Sequence, residues 1–283
     1  MDAATLESWT GRTEARTETL ASAPAKGLAA TLDQEKEGFG PGAELPPLWQ
    51  WLYFLPQARA SEMGRDGHPK LGGFLPPVAL PRRMWAGSRC RFHAPLRIGE
   101  EAAKTSEILK VAEKSGRAGT MVFVTVRHVW SVGGEARAEE EQDIVYLPIP
   151  EVFAPPEAVA VPEGNWRERL AIDAVLLFRF SALTFNAHRI HYDRTYAMET
   201  EKYPGLVVHG PLQAMLLMEA ARRWVPGLKV AAFEFRGLRP LFDHDEISVC
   251  GRRLEDGRIE LHTCDGAGAA GMRALLTPAE AAG

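Results

Sequence analysis

The sequence is poor in cysteine, and this limits the kinds of structure it can form. Among its 283 residues only Cys90, Cys250 and Cys264 are cysteines, and none belongs to a CxxC pair. An odd number of cysteines this far apart argues against a disulfide framework and against a cysteine zinc site. It fits a protein that works in a reducing compartment.

Surplus positive charge and long apolar runs are also missing. The net charge is −4, so no excess of lysine and arginine is present to replace counterions along a nucleic acid. No apolar run approaches the roughly 20 residues that span a bilayer. Met1–Ala4 has neither the basic nor the apolar region of a secretion signal. We therefore expect a cytoplasmic protein that binds neither nucleic acid nor a membrane.

The apolar content is nevertheless ample for a large core. The chain is 46% hydrophobic and 25% charged, as soluble globular proteins usually are. Several prolines between positions 148 and 162 predict a linker. We place a domain boundary there, between residues 1–150 and residues 151–283.

The first half is predicted to combine helices with a β-hairpin. The first 35 residues are polar and helix-prone, and the aromatic residues 48–54 are predicted to form a short buried helix. Residues 58–81 are rich in glycine and proline, and loops of that length are more often functional than idle. Residues 121–130 and 136–146 flank a Gly-Gly pair and predict a hairpin.

The second half is predicted to wrap a sheet around one helix. Residues 174–180 are predicted to form a strand, and Asp193 is predicted to be the N-cap of a short helix. Residues 211–224 are apolar on nearly every side, which is typical of a buried helix. Three or four strands are predicted after it, at residues 229–235, 246–254, 258–264 and 272–276. This order of elements predicts an α+β hot dog unit, and two such units in one chain predict a double hot dog fold.

The densest polar cluster is the segment Asn186–Asp193. His209 and Gly210 follow at the start of the predicted buried helix. The first turn of a helix offers free backbone N–H groups, which can hold a carbonyl oxygen that becomes negative. A histidine can move a proton at the neighbouring carbon or on water. Together these parts predict proton chemistry next to a carbonyl group.

The same segments resemble a known family. Phe180–Asp193 resembles the hydratase motif of MaoC-type enoyl-CoA hydratases, and Gly205–Pro211 resembles their approach to the hot dog helix. The nearest resemblance is to the hydroxyacyl-thioester dehydratase type 2 branch, which includes mesaconyl-CoA and itaconyl-CoA hydratases. Four stretches resemble the N-terminal half of that branch: Asp66–Pro69, Gly72–Pro77, Leu80–Gly87 and Glu141–Tyr146.

This resemblance implies reversible hydration of a 2-enoyl thioester, or dehydration of a 3-hydroxyacyl thioester, without a dissociable cofactor. His191 matches the catalytic histidine, and Gly210 matches the glycine whose N–H holds the thioester oxygen. Asn186 stands where many members have aspartate. Because an amide cannot take or give a proton as a carboxylate does, our hypothesis is that His191 activates water and Asn186 orients it.

Five further residues are expected to contact the substrate, which is expected to be an acyl-CoA: His188, Arg189, His209, Arg82 and Arg83. Arg82 and Arg83 are candidates for the CoA phosphates because arginine binds phosphate in a planar fork. A dicarboxylic acyl group would need a cation, and the sequence does not rank the three arginines for that role. His209 is equally well explained as a structural residue at the helix start.

Several alternatives stay open. His188, His191 and Asp193 could mimic a metal site, although no further ligand is evident nearby, and we expect no metal. A hot dog thioesterase would need a carboxylate beside the central helix, and Glu219 is the only acid in that helix. A non-catalytic acyl-CoA-binding protein is the third interpretation. Acyl chain length, CoA against carrier protein, stereochemistry and homodimer formation are not determined by the sequence.

Overall fold

The computed structural model describes residues 6–35, 37–116 and 119–279. Its ten strands are β1 (Thr13–Thr19), β2 (Arg82–Phe92), β3 (Glu101–Gly116), β4 (Gly119–Val132), β5 (Glu135–Leu147), β6 (Trp166–Arg169), β7 (Val230–Gly237), β8 (Ser248–Arg253), β9 (Ile259–Cys264) and β10 (Ala270–Pro278). Its α-helices are α1 (Ser22–Thr31), α2 (Ala174–Leu183) and α3 (Gly210–Trp224). Single 3₁₀ turns lie at Trp49–Leu52, Ala60–Glu62 and Arg189–His191, and a π turn lies at Tyr196–Thr200.

All ten strands belong to one antiparallel sheet, in the order β1-β3-β4-β5-β2-β7-β10-β9-β8-β6. Read inward from its own edge, each half has the same plan. The first half runs β1-β3-β4-β5-β2, and the second runs β6-β8-β9-β10-β7. The halves meet where β2 pairs with β7, with Ser88 opposite Phe235 and Cys90 opposite Phe233.

The long helix α3 lies against this sheet and contacts β2, β8, β9 and β10. Its side chains are buried on most sides, as a central hot dog helix requires. The repeated strand order and the buried helix confirm the predicted α+β double hot dog fold. Residues 148–165 connect the two sets of strands, next to the boundary predicted at residue 150.

Most of the predicted elements are confirmed. The hairpin forms from β4 and β5 around Gly133 and Gly134, both of which have positive φ angles. The four strands predicted after α3 correspond to β7 to β10. Asp193 is an N-cap, because its Oδ1 accepts a hydrogen bond from the N–H of Tyr196 at 3.0 Å. The three cysteines are free and buried.

The predicted strand at residues 174–180 is wrong, because these residues belong to helix α2. Asp173 caps the helix by accepting a hydrogen bond from the N–H of Leu176 at 2.8 Å. A run that is apolar at nearly every position has no period that separates a buried strand from a helix. The structure shows a helical pattern, with Leu177 and Phe180 buried and Phe178 exposed.

Two predictions in the first half are also wrong in part. In the described part of the first 35 residues, β1 is an edge strand paired with β3, and residues 6–7 and α1 are helical. An edge strand needs no apolar alternation, and three threonines favour the extended backbone. Residues 48–54 form only one 3₁₀ turn, because Leu48 and Phe54 at its two ends have φ angles of 75° and 56°.

The polar segment Asn186–Asp193 lies between α2 and α3, and Gly210 is the first residue of α3. The chain leaves α2, makes the 3₁₀ turn and the π turn, and then enters α3. Within the described ranges, no helix combines the length and the apolar character that crossing a membrane requires.

Candidate active site

His191 ends the 3₁₀ turn after α2, and its ring is buried. Its Nδ1 lies 2.7 Å from the carbonyl oxygen of Val207. A carbonyl can only accept, so Nδ1 carries the proton and Nε2 keeps a lone pair. Burial lowers the pKa of His191 to about 4. The ring is therefore neutral at neutral pH, and its Nε2 is able to accept a proton.

The ring of His209 packs against the ring of His191. The two rings stack with centroids 3.6 Å apart and planes 19° apart. The Nε2 of His209 lies 2.8 Å from the hydroxyl oxygen of Ser181, and the ring is fully buried against Phe180. This placement favours the structural role of His209 at the helix start over the expected contact with substrate.

Gly210 is the first residue of α3, directly after His209. The N–H groups of a first helical turn have no partner within the helix, and they lie at the positive end of its dipole. Gln213 fixes the helix start, because its Nε2 donates to the carbonyl of Val208 at 3.3 Å and its Oε1 accepts from Thr263 at 2.7 Å. The stacking of His191 on His209 places a histidine beside the start of α3. The joint catalytic role of His191 and Gly210 stays a prediction.

Asn186 shapes the loop that carries these residues. Its Oδ1 accepts a hydrogen bond from the N–H of His188 at 3.1 Å. The amide oxygen is thus engaged within the loop, and the two N–H donors of Asn186 are the groups that could orient a water molecule. This role of Asn186 stays a prediction.

A loop from the first half completes the site; we call residues 64–70 the docking loop. Its Asp66 and His68 are paired, with 2.8 Å between Oδ2 and Nδ1. The ring of His68 lies 4.0 Å from that of His188, and the ring of His188 lies 5.4 Å from that of His191. In the sequence, Asp66–Pro69 stands out only through its family resemblance, and neither Asp66 nor His68 was predicted as a site residue. The DGH triplet in a long glycine-rich loop is the signal that could have identified them.

Electrostatics favour the charged Asp66 and the neutral His68. Burial opposes the charge of Asp66, but the hydrogen bonds and charge of His68, and then the charge of Arg83, hold its pKa below the usual value. Burial, followed by the charge of Arg83, lowers the pKa of His68 against the opposite effect of Asp66. Burial also lowers the pKa of His188 well below its usual value. The row of site histidines is therefore neutral at neutral pH.

Backbone contacts hold the docking loop against the motif of the second half. The N–H of Arg189 donates to the carbonyl of Asp66 at 2.9 Å, and its guanidinium donates to the carbonyl of Arg65 at 3.1 Å. Gly67 lies so close to the facing backbone that a Cβ atom there would be 1.7 Å from the carbonyl oxygen of Ala187. The contact requires a glycine at position 67.

We expect Gly67→Ala to lower the free energy of unfolding by well over about 1 kcal/mol, because the new methyl group would add a steric clash to the cost of a positive φ angle. Gly72→Ala is the matched control. Gly72 has a φ angle of 92°, close to the 89° of Gly67, but a Cβ there would meet its nearest atom at 3.8 Å. Urea unfolding of both variants measures the difference. Equal losses in the two variants would contradict the proposed close contact.

A cavity of about 710 Å³ opens beside the docking loop. Asp66 and His68 line it, together with Arg83, Tyr146 and Arg189. His191, Asn186 and Gly210 are not among its lining residues; His68 and His188 lie between the cavity and His191. Two histidine rings therefore separate the cavity from His191.

The structure separates the three arginines that the sequence could not rank. Arg82 is buried, and its guanidinium donates to the carboxylate and to the backbone carbonyl of Glu201, at 2.8 Å and 2.6 Å. Arg189 pairs with Asp193 at 2.7 Å. Arg83 lines the cavity and has no acidic partner within the described chain. The expected contact of Arg82 with substrate is not supported, since strand β2 begins at Arg82 and directs its side chain into the protein.

Comparison with known proteins agrees with these features. A family model described as hydroxyacyl-thioester dehydratase type 2 matches residues 48–243. The chain belongs to this family. It is 46% identical over 281 residues to a mesaconyl-C(4)-CoA hydratase of Chloroflexus aurantiacus, covering 98% of this chain and 99% of that protein. It is 30% identical over 249 residues to the mitochondrial hydroxyacyl-thioester dehydratase type 2 of Schizosaccharomyces pombe, covering 78% of this chain and 82% of that one.

Solved structures share the fold of this dehydratase family member. A MaoC-like dehydratase from Phytophthora capsici has a TM-score of 0.73 at 11% identity, covering 100% of this chain and 99% of that one. A Mycobacterium tuberculosis protein described as a double hot dog has a TM-score of 0.59 at 13% identity, covering 95% and 96%. The predicted family and reaction class, hydratase and dehydratase chemistry on acyl thioesters, are confirmed.

The acidic residue that a thioesterase would need is already engaged. Glu219 lies in the later half of α3 and is buried. Its carboxylate accepts hydrogen bonds from Trp49 at 3.0 Å and from Gln34 at 3.1 Å, and it pairs with Arg222 at 3.0 Å. A carboxylate held by three donors is poorly suited to activate water, so the structure adds nothing in favour of the thioesterase alternative.

The residues that could form a metal site differ from those predicted. Asp193 is an N-cap paired with Arg189, so it does not face His188 and His191 as a ligand. In the described residues, Asp66, His68 and His188 are the group whose ligand atoms approach one another, to within 4.8 Å. Asp66 already pairs with the ring of His68, and the rings of His68 and His188 lie 4.0 Å apart with their planes tilted by 37°. The expectation of a reaction without metal stays a prediction.

Proposed function

We propose that this protein catalyses reversible hydration of a 2-enoyl-CoA, with His191 as the general base and no dissociable cofactor. The observation that carries the proposal is the hydrogen bond from His191 Nδ1 to the carbonyl of Val207. It fixes a neutral ring whose Nε2 can accept a proton. This ring stacks on His209, which directly precedes the first turn of α3.

The residues account for each step of the addition. In hydration, Nε2 of His191 takes a proton from water while the water oxygen bonds to C3 of the enoyl group. The electron pair of the double bond moves toward the thioester oxygen, where the N–H of Gly210 stabilises the negative charge. The proton then passes from His191 to C2, and the histidine returns to its neutral form. An imidazolium with a pKa of about 4 is a strong proton donor for this last step.

The relatives support a short acyl group carried by CoA. The Chloroflexus aurantiacus relative is named for mesaconyl-C(4)-CoA, and its similarity extends over nearly the whole of both chains. We propose mesaconyl-CoA or the isomeric itaconyl-CoA as substrate, in preference to a carrier-protein thioester. We also propose that the enzyme works in the cytoplasm. One chain already holds two hot dog units, so a homodimer is not needed to complete the fold.

We expect the purified protein to remove the enoyl absorbance of mesaconyl-CoA without releasing free thiol. Absorbance and a thiol reagent, followed in the same sample, measure the two reactions. Release of thiol in step with the loss of absorbance would identify a thioesterase. Tight binding with neither change would identify an acyl-CoA-binding protein.

A further inference from the structure

The cavity contains an arginine without an acidic partner. Arg83 is half-buried on the cavity wall; it has no acidic partner among the described residues, and its guanidinium lies next to the hydroxyl group of Tyr146. Asp66 is an acid whose pKa the charge of Arg83 lowers. Its Oδ1 accepts a hydrogen bond from the N–H of His68, and its Oδ2 pairs with Nδ1 of the His68 ring. The charge of Arg83 is therefore not neutralised directly by the protein.

A second donor beside Arg83 also lacks a partner. Tyr146 lies on the same cavity wall and is 0% exposed, yet no group among the described residues accepts a hydrogen bond from its hydroxyl. Burial raises the pKa of Tyr146, and the neighbouring charge and donor groups of Arg83 partly offset this. A buried O–H donor without an acceptor destabilises the protein. A ligand that accepts a hydrogen bond from it would remove this cost.

The remaining basic groups on the cavity wall are engaged elsewhere. Arg189 pairs with Asp193, and the ammonium group of Lys70 donates to the carbonyl of Ser61 at 2.8 Å. Arg65 is exposed at the rim of the cavity. A half-buried guanidinium without an acidic partner, next to a phenol whose O–H has no acceptor, is thus the distinctive feature of this wall. Both groups are able to donate hydrogen bonds to an anion.

We propose that Arg83 and Tyr146 bind the free carboxylate of a dicarboxylic acyl group. The proposal rests on the proposed hydratase function and adds a basis for its acyl specificity. In mesaconyl-CoA the free carboxylate belongs to the five-carbon acyl group and is attached to the reacting double bond, whereas the CoA phosphates lie beyond the whole pantetheine arm. Arg83 is close to the catalytic row, since its charge acts on both His68 and His188.

Comparing mesaconyl-CoA with crotonyl-CoA tests this site, because crotonyl-CoA keeps the double bond and the CoA but lacks the second carboxylate. For Arg83→Met we expect kcat/KM with mesaconyl-CoA to fall about 10- to 100-fold, the loss of a charged hydrogen bond. For Tyr146→Phe we expect a fall of about 3- to 10-fold. With crotonyl-CoA both variants should stay within about threefold of the unmodified protein.

Arg65→Met is the matched control, since it removes a positive charge from the rim of the same cavity. We expect it to leave the ratio of the two substrates unchanged. Equal losses with both substrates in Arg83→Met would overturn the proposal and place a CoA phosphate at this site. Thermal unfolding identifies any variant that fails to fold, and Tyr146→Phe, which keeps the shape of the ring, then decides the question. Failure of the unmodified protein to hydrate either substrate would instead contradict the proposed function.

Discussion

His191→Ala is expected to lower kcat for enoyl-CoA hydration by about 10²- to 10⁴-fold, the usual contribution of a general base. The side chain carries the Nε2 that takes the proton of water, and its Nδ1 is held by the carbonyl of Val207. Alanine at this position supplies neither group. Steady-state loss of enoyl absorbance measures the effect. A rate like that of the unmodified protein would contradict the role of His191.

Two comparison variants separate proton transfer from a general disturbance of the site. Asn186→Ala removes only hydrogen bonds, so we expect a smaller loss, about 3- to 10-fold. His93→Ala removes an exposed histidine that directly follows the end of β2 and pairs with Glu139. We expect no loss in this variant. A loss in Asn186→Ala as large as that in His191→Ala would show that Asn186 does more than orient water.

The pH dependence provides a second measure of the role of His191. Burial lowers its pKa to about 4 in the folded protein, so the base is ready to accept a proton throughout the neutral range. We expect kcat/KM to stay level from neutral pH down to about pH 5 and to fall as His191 gains a proton. Because the folded pKa lies below the unfolded value of about 6.5, the ring contributes stability above pH 6.5, and this contribution is lost as the pH falls toward 4.

The fold could be predicted to the extent that local patterns determine it. The hairpin of β4 and β5 has β-branched strands around a Gly-Gly turn, and α3 has an apolar surface on nearly every side. Helix α2 could not be separated from a strand, because its run has no useful period and its N-cap, Asp173, is a single residue. The edge strand β1 is defined by pairing with β3 about 90 residues away, which no local pattern records.

The site residues also differ in how far the sequence could predict them. His191, Asn186 and Gly210 lie in one continuous segment and the helix that follows it, so a motif could bring them together. The pair Asp66 and His68 reaches the site only because the docking loop crosses from the first half. The difference between Arg82 and Arg83 depends on the direction in which each side chain leaves β2, and this is decided by Glu201 of the other half.

The ion pair of Arg82 and Glu201 connects the two halves inside the protein. The side chains are 8% and 1% exposed, and Nε of Arg82 lies 2.8 Å from Oε2 of Glu201. The guanidinium also lies over the ring of Tyr203, 4.5 Å from its centroid. We expect Arg82→Met to lower the free energy of unfolding by about 3–5 kcal/mol, because it leaves the Glu201 carboxylate buried without its counter-charge.

Removing both charges is expected to cost less than removing one. In Arg82→Met combined with Glu201→Met, no unpaired charge remains, and an apolar pair of similar volume replaces a desolvated ion pair. Arg169→Met is the control for an exposed pair, since Arg169 and Glu246 are 69% and 68% exposed, and its cost should stay below about 1 kcal/mol. Urea unfolding of the unmodified protein, Arg82→Met, Glu201→Met, the double variant and Arg169→Met gives the five free energies that the comparison needs. A double variant as unstable as the sum of its single variants would show that the loss comes from packing around Tyr203 and not from the unpaired charge.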